Sequence, residues 1–147
     1  MTNRIYMDLI QVEAYLVDVY DVCVSFEEDG LDEYWFDPKT FHDDPGHISI
    51  NSHNDPEHQL YVLLHEAGHV KLRSDQEEFL FRFPDSSRDT AAGRIEILKE
   101  EVAAWHEGLG IAERLGVIVD MGKWKRNYRE ALSKYIIWIG EEGQYEE

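Results

Sequence analysis

One cysteine, Cys23, stands in the 147-residue sequence, so no internal disulfide can form and the fold must hold by packing or by a bound group. Flanked by Val22 and Val24, it is expected to be a small core residue in a reducing compartment. Cations are also scarce: 14 Lys and Arg against 31 Asp and Glu leave a formal net charge of -17. That balance argues against nucleic-acid phosphate or an anionic membrane surface as a partner, and for a basic partner, a substrate with a basic segment, or plain solubility. No apolar run approaches the ~18 residues of a membrane span, and no basic-then-apolar leader opens the chain, so a soluble, cytoplasmic protein is expected. What is present suffices for a core: 43% of residues are hydrophobic and 12% aromatic, which fits one domain over residues 1–147.

The chain is organised around Leu63-Leu64-His65-Glu66-Ala67-Gly68-His69-Val70, an H-E-x-x-H set inside a run that reads as a buried helix. Residues four apart lie on one helix face a turn apart, so His65 and His69 can offer two imidazole nitrogens to one cation. Glu66 follows His65 by about 100° of rotation, which places its carboxylate beside the open position of such a cation rather than on it. A zinc ion there would lower a water's pKa from about 15.7 towards about 7, with Glu66 as general base and acid. Leu60 to Leu64, Val70 and Leu72 are apolar around the whole circumference, so the helix is expected to be buried on most sides. Gly68 costs a helix interior roughly 1 kcal/mol relative to Ala and implies close approach by a neighbouring element.

Along the chain, Ile5 to Val19 reads as an amphipathic helix with Met7, Ile10, Ala14 and Val17 as its apolar stripe. Val22, Val24 and Phe26 then alternate with polar or small residues, the strand period. Glu27 to Gly30 is a turn signal, and Leu31 to Phe36 returns as the second strand of a hairpin, ended by Asp37-Pro38. A loop over 38–46 leads to His47-Ile48-Ser49-Ile50-Asn51, a third short strand. Ten acids and the single Lys39 make 18–44 the densest charge run, either a solvated surface or a negative rim for a basic substrate segment. Asn54-Asp55-Pro56 provides a cap and first-turn proline for the metal helix, expected from about Pro56 to Leu72. His58 lies two turns from His65, too far to share its cation; His42, His47 and His53 lack ligand spacing.

A zinc centre that does chemistry usually has three protein ligands. Leu72 and Asp75 stand where a metzincin would have Gly and His, which excludes that class. The next helix, about Asp89 to Leu115, has an apolar seam of Ile95, Leu98, Val102, Trp105, Leu109 and Ala112. On that wheel Glu101 lies about 70° from the seam's centre and can reach inward, whereas Glu100 lies about 170° away and should face water. Glu96 and Glu107 also point outward. Glu113 is the rival, about 50° away on the other flank but roughly three turns on, with His106 a weaker candidate beside it.

The set His65-Glu66-Ala67-Gly68-His69, an Ile-Ser-Ile-Asn strand before it and Glu101-Val102-Ala103-Ala104-Trp105 after it together resemble the ImmA/IrrE family of small gluzincin-type zinc metallopeptidases. The resemblance covers about residues 5 to 115. Its members commonly show H-E-x-x-H followed by E-x-x-A-N; here Trp105 stands in place of the Asn, and no Leu-Leu-Met-Pro type sequence follows. The resemblance implies Glu101 as third ligand, zinc as cofactor and a regulatory protein such as a transcriptional repressor as substrate.

Beyond Gly116, a helix C-cap, Val117 to Val119 reads as a buried connection. A last helix from about Lys123 to Ile139 carries Trp124, Tyr128, Leu132, Tyr135 and Ile139 on one stripe. Core packing is their simplest role, and Tyr128 or Tyr135 is the candidate donor to an oxyanion. Lys123, Lys125, Arg126 and Arg129 form the one dense basic patch, and Glu141 to Glu147 reads as a frayed tail. The sequence thus predicts a mostly helical α+β domain with a small antiparallel sheet before the metal helix, acting as a zinc metallopeptidase on a protein or peptide. Two other readings remain: a non-catalytic zinc-containing module that binds proteins, and an acidic decoy for a basic surface.

Overall fold

The computed structural model describes residues 2–28, 31–35, 46–85 and 87–141. The expected strand end at Phe36 to Pro38, the loop up to Pro45, His42, Asp29 and Gly30 of the turn tip and the tail from Glu142 lie outside those residues. The elements are α1 (Thr2–Tyr20), β1 (Cys23–Glu27), β2 (Glu33–Trp35), β3 (His47–Asn51), α2 (Pro56–Ser74), α3 (Gln76–Arg82), α4 (Ala91–Leu115) and α5 (Met121–Ile139). The class is α+β, with five helices among the described residues and one small sheet. None of these helices is long and apolar enough to cross a membrane.

Helix α1 forms where expected but buries a different face. Leu9, Val12 and Leu16 enter the core, while Met7 and Ile10 are 68% and 66% exposed and Val17 is exposed too. Both stripes are apolar at helical spacing, so periodicity alone does not rank them; the one that meets α2 is set by the sheet's position. Asp21 ends α1 in the left-handed region (φ 57°), its amide returning to the Val17 carbonyl at 3.0 Å.

The sheet is mixed, not wholly antiparallel, and the β1–β2 hairpin does not form. β3 lies between them, parallel to β1 (Val24 beside Ile48) and antiparallel to β2 (Tyr34 beside Ile48). Ile48, Ser49 and Ile50 are buried in succession, so β3 is covered on both faces, whereas β1 and β2 are half-exposed; the most covered strand takes the centre. Cys23 is exposed on β1, and Val22 enters the core instead. The alternation that puts Val22 inward sends its neighbour outward.

Helix α2 begins at Asp55, whose carboxylate accepts from the His58 amide at 3.1 Å, with Pro56 in the first turn. It is buried almost all round, as its apolar circumference predicts, and it runs against α4 at backbone distance. A Cβ built on Gly68 would lie 2.0 Å from the Ala104 carbonyl oxygen, and one on Gly108 would lie 2.6 Å from that of Leu64. α3 is absent from the sequence reading: it spans seven mostly exposed residues, too few for periodicity to register. It is capped by Asp75, and Phe79 and Phe83 lay its one apolar corner against Leu72 and Ala104.

Helix α4 starts one residue after its cap, Thr90, and ends at Gly116 (φ 74°) in a Schellman arrangement. There the Gly116 amide bonds Glu113 O at 3.2 Å and the Val117 amide bonds Ala112 O at 2.8 Å. Val117 is buried, but Ile118 in the same connection is exposed. α5 is fixed at its start by the Asp120 amide donating to the Tyr61 hydroxyl (3.0 Å) and by Trp124 packing edge-on to Tyr61. Trp124 and Leu132 of the expected stripe are buried, and Tyr128 packs beside them.

Candidate metal centre

Two helices converge on the site. α2 carries His65, Glu66 and His69 within one turn and a half, and α4 brings Glu100, Glu101 and Trp105 across from them because small residues let the helices touch. The Glu101 carboxylate lies between the imidazoles: His65 Nε2 is 2.9 Å from Oε2 and His69 Nε2 is 3.0 Å from Oε1. One ligand atom from each of His65, His69 and Glu101 falls within 4.8 Å of the others, a group able to hold a metal ion. Donors around a tetrahedral cation at about 2.0–2.1 Å are about 3.3 Å apart, and the two imidazole-to-carboxylate distances lie within a few tenths of an ångström of that spacing. The donor set, two neutral nitrogens and one carboxylate oxygen, suits a borderline divalent metal such as zinc.

The opposite edges of both rings are also engaged. His65 Nδ1 lies 3.3 Å from Glu66 Oε1, and its ring stacks on Trp105 at 4.3 Å between centroids with 12° between planes. His69 Nδ1 is 2.5 Å from Glu100 Oε2. Glu100 in turn receives two bonds from Arg73, Nε to Oε2 at 3.0 Å and Nη2 to Oε1 at 2.8 Å. Glu100 is therefore not the water-facing acid that the apolar seam implies: it is 6% exposed. The bulky residues define one seam, but α4 presents to α2 the face of Ala104, Gly108 and Ile111, and Ile95 at the seam's start is 48% exposed. Rotating the centre towards those residues brings Glu100 and Glu101 inward together.

Electrostatics follow from this crowding. Burial disfavours a protonated His69, but Glu101, Glu100 and Glu66 around it outweigh burial and raise its pKa to about 10. His65 is raised likewise, burial being overcome by its bonds to Glu101 and Glu66. Burial would lift Glu101 and Glu100, yet the charges and hydrogen bonds of the histidines, and of Arg73 for Glu100, hold both below the usual carboxylate range. Buried donors so arranged favour net positive charge between the carboxylates, carried by protons or by a metal.

A cleft of about 880 Å³ opens over the trio, lined among others by Glu66, Arg73, Trp105 and Tyr135, with Asp32 and Glu33 from the acidic run at its rim. Tyr135 lines the same cleft, and its hydroxyl pKa is raised by burial and then by Glu101 and Glu66, so it stays a donor. Tyr128 is placed elsewhere, packed edge-on to Trp105 at 6.0 Å and over His106 at 6.1 Å. His58 lines the cleft but is not in the trio. Glu113 and His106 are exposed, Glu107 pairs with Lys71 at 2.8 Å, and Glu96, expected to face out, is half-buried. Arg73 escaped the sequence reading although it continues the His65–His69 row by one more turn, the signal by which it could have been found.

A buried helix with two histidines a turn apart, a carboxylate entering from a second helix and an open cleft above them define a metallopeptidase-like domain. The IrrE N-terminal-like domain, a peptidase family, matches residues 18–106, more than half of the sequence, and the chain belongs to that family. The family is generally metal-dependent, and a peptidase acts on protein. The matched stretch includes His65, Glu66, His69, Glu100 and Glu101, while α5 with Tyr135 lies beyond it. No curated protein and no solved structure matches the chain.

Proposed function

We propose that the chain is a zinc-dependent metalloendopeptidase that holds its metal through His65, His69 and Glu101. The observation that carries this reading is the Glu101 carboxylate bridging the two Nε2 atoms at 2.9 and 3.0 Å, from a helix that has no covalent reason to be there. A zinc ion at these residues supplies a Lewis acid that lowers the pKa of a water from about 15.7 towards about 7. Glu66 lies against His65 at the cleft floor, where it takes the water's proton and returns it to the leaving amine. The Tyr135 hydroxyl, in the same cleft, donates to the oxyanion, and Tyr128 is assigned to packing. Asp32 and Glu33 at the rim suit a substrate with a basic segment, in keeping with the chain's charge.

The net charge of -17 also favours a second reading, a zinc-containing module that binds a basic protein without cutting it. Glu66→Gln separates the two. Zinc content by mass spectrometry should stay at one per chain while cleavage of a random-sequence peptide library is abolished. A wild-type protein that carries zinc but leaves the library as intact as Glu66→Gln does would refute the peptidase reading and favour the binding module.

A further inference from the structure

The ring of His69 is gripped at both nitrogens by consecutive glutamates. Side chains adjacent in sequence diverge by about 100° on a helix and do not normally serve one group. Here Glu101 reaches Nε2 at 3.0 Å while Glu100 reaches Nδ1 at 2.5 Å, so the imidazole stands edge-on between them. Glu100 cannot join the same cation as a third-helix-face ligand would, because it meets the nitrogen that points away from the trio. A buried carboxylate is costly unless its oxygens are satisfied. Arg73, one turn after His69, satisfies both through a two-point bond, which also fixes the plane of the carboxylate.

We infer that Glu100, clamped by Arg73, is a positioning residue that keeps the proton of His69 on Nδ1 and aims Nε2 at the metal. This rests on the proposed metal centre and adds a part to it: the acid acts through His69 and touches no substrate. An imidazole has two tautomers, and only the one protonated on Nδ1 leaves Nε2 with a lone pair for a cation. A carboxylate acceptor at Nδ1 selects that tautomer and restrains rotation of the ring. Asymmetry between the two ligands follows, since His65 has only the longer 3.3 Å approach of Glu66 at its Nδ1 and relies on the Trp105 ring for its orientation.

The test compares wild type, Glu100→Gln, the double variant Glu100→Gln with Arg73→Met, and Glu107→Gln as an α4 acid that bridges to α2 outside the cleft. The double variant removes both charges of the Arg73–Glu100 pair at once, so the protein can fold where the single variant does not. Zinc affinity by chelator competition should fall about 10–100-fold in the Glu100 variants, with Glu107→Gln unchanged. In ¹⁵N-resolved spectra of the zinc-loaded proteins, His69 should be a single Nδ1–H tautomer in the wild type and a mixture in the variants. Wild-type zinc affinity and a single tautomer in the folded double variant would overturn the inference and leave the metal centre standing. A wild type that binds no zinc would overturn the metal centre and the inference with it, and one that binds zinc with the expected variant losses yet hydrolyses nothing would remove only the peptidase assignment.

Discussion

Gly68→Ala should separate packing from helix propensity. A methyl at this position would sit 2.0 Å from the carbonyl oxygen of Ala104, where real Cβ contacts do not fall below 3.0 Å, so α2 and α4 must part by about the 1.0 Å difference. The obstacle is backbone, which cannot rotate aside. The clash costs about 3 kcal/mol, the upper end for overpacking, and the gain in helix propensity returns about 1 kcal/mol. The net loss of about 2 kcal/mol should lower Tm by about 4–8 °C for a chain of this length. The same displacement takes Glu101 to about 4 Å from both imidazoles, beyond the ~0.5 Å tolerance of a working site, so zinc affinity should fall at least about tenfold. Gly110→Ala is the matched control: also inside α4, with nothing within 4 Å of the new methyl, it should raise stability by about 1 kcal/mol and leave zinc binding alone. Calorimetry and chelator competition on both variants decide the matter. If Gly68→Ala is stabilised like Gly110→Ala and binds zinc normally, the close approach of the helices is wrong.

Three further outcomes are expected. Trp105→Leu should remove the ring stacked on His65 and weaken zinc binding several-fold, while Trp105→Phe keeps most of it; equal affinities for both would deny the stack a role. Tyr135→Phe should cut kcat for a cleaved peptide by about 10²–10³ with zinc affinity nearly intact, and Tyr128→Phe should do neither; the reverse ranking would move the oxyanion donor to Tyr128. In chelator-stripped protein, His69 is raised from 6.5 to about 10, so its contribution is full below pH 6.5 and is lost as pH climbs towards 10. Glu101 is lowered from 4.5, so its contribution is present above pH 4.5 and is lost in acid below it. Urea midpoints of the stripped protein should therefore be highest between those limits and decline from pH 6.5 to 10; a flat alkaline limb would contradict the charge network.

Much of the frame is readable in the chain because its signals are local. Asp55-Pro56 and Gly116 mark helix ends by their own backbone chemistry, and the unbroken apolar circumference from Leu60 to Leu64 announces burial without reference to anything else. Gly68 is legible as a contact point because a helix tolerates its cost only for a neighbour. What fails is what depends on partners. α1 carries apolar residues on two faces, and only the position of the sheet decides that Leu9, Val12 and Leu16 go inward rather than Met7 and Ile10. β1 and β2 are neighbours in sequence but not in space, since β3 intervenes. Glu100 shows the limit most clearly. A hydrophobic seam weighs side-chain bulk, whereas Ala104 and Gly108 mark the α2 contact by being small, and a buried acid paired with Arg73 and His69 appears only when both helices are in place.

The measurement closest to the central claim is an anomalous difference map from a crystal of the zinc-loaded protein. One peak is expected, about 2.0–2.2 Å from His65 Nε2, His69 Nε2 and a Glu101 oxygen, with Glu66 and Glu100 outside bonding distance of it. Zinc bound at other residues, or no zinc peak at the trio in protein shown to carry the metal, would contradict it.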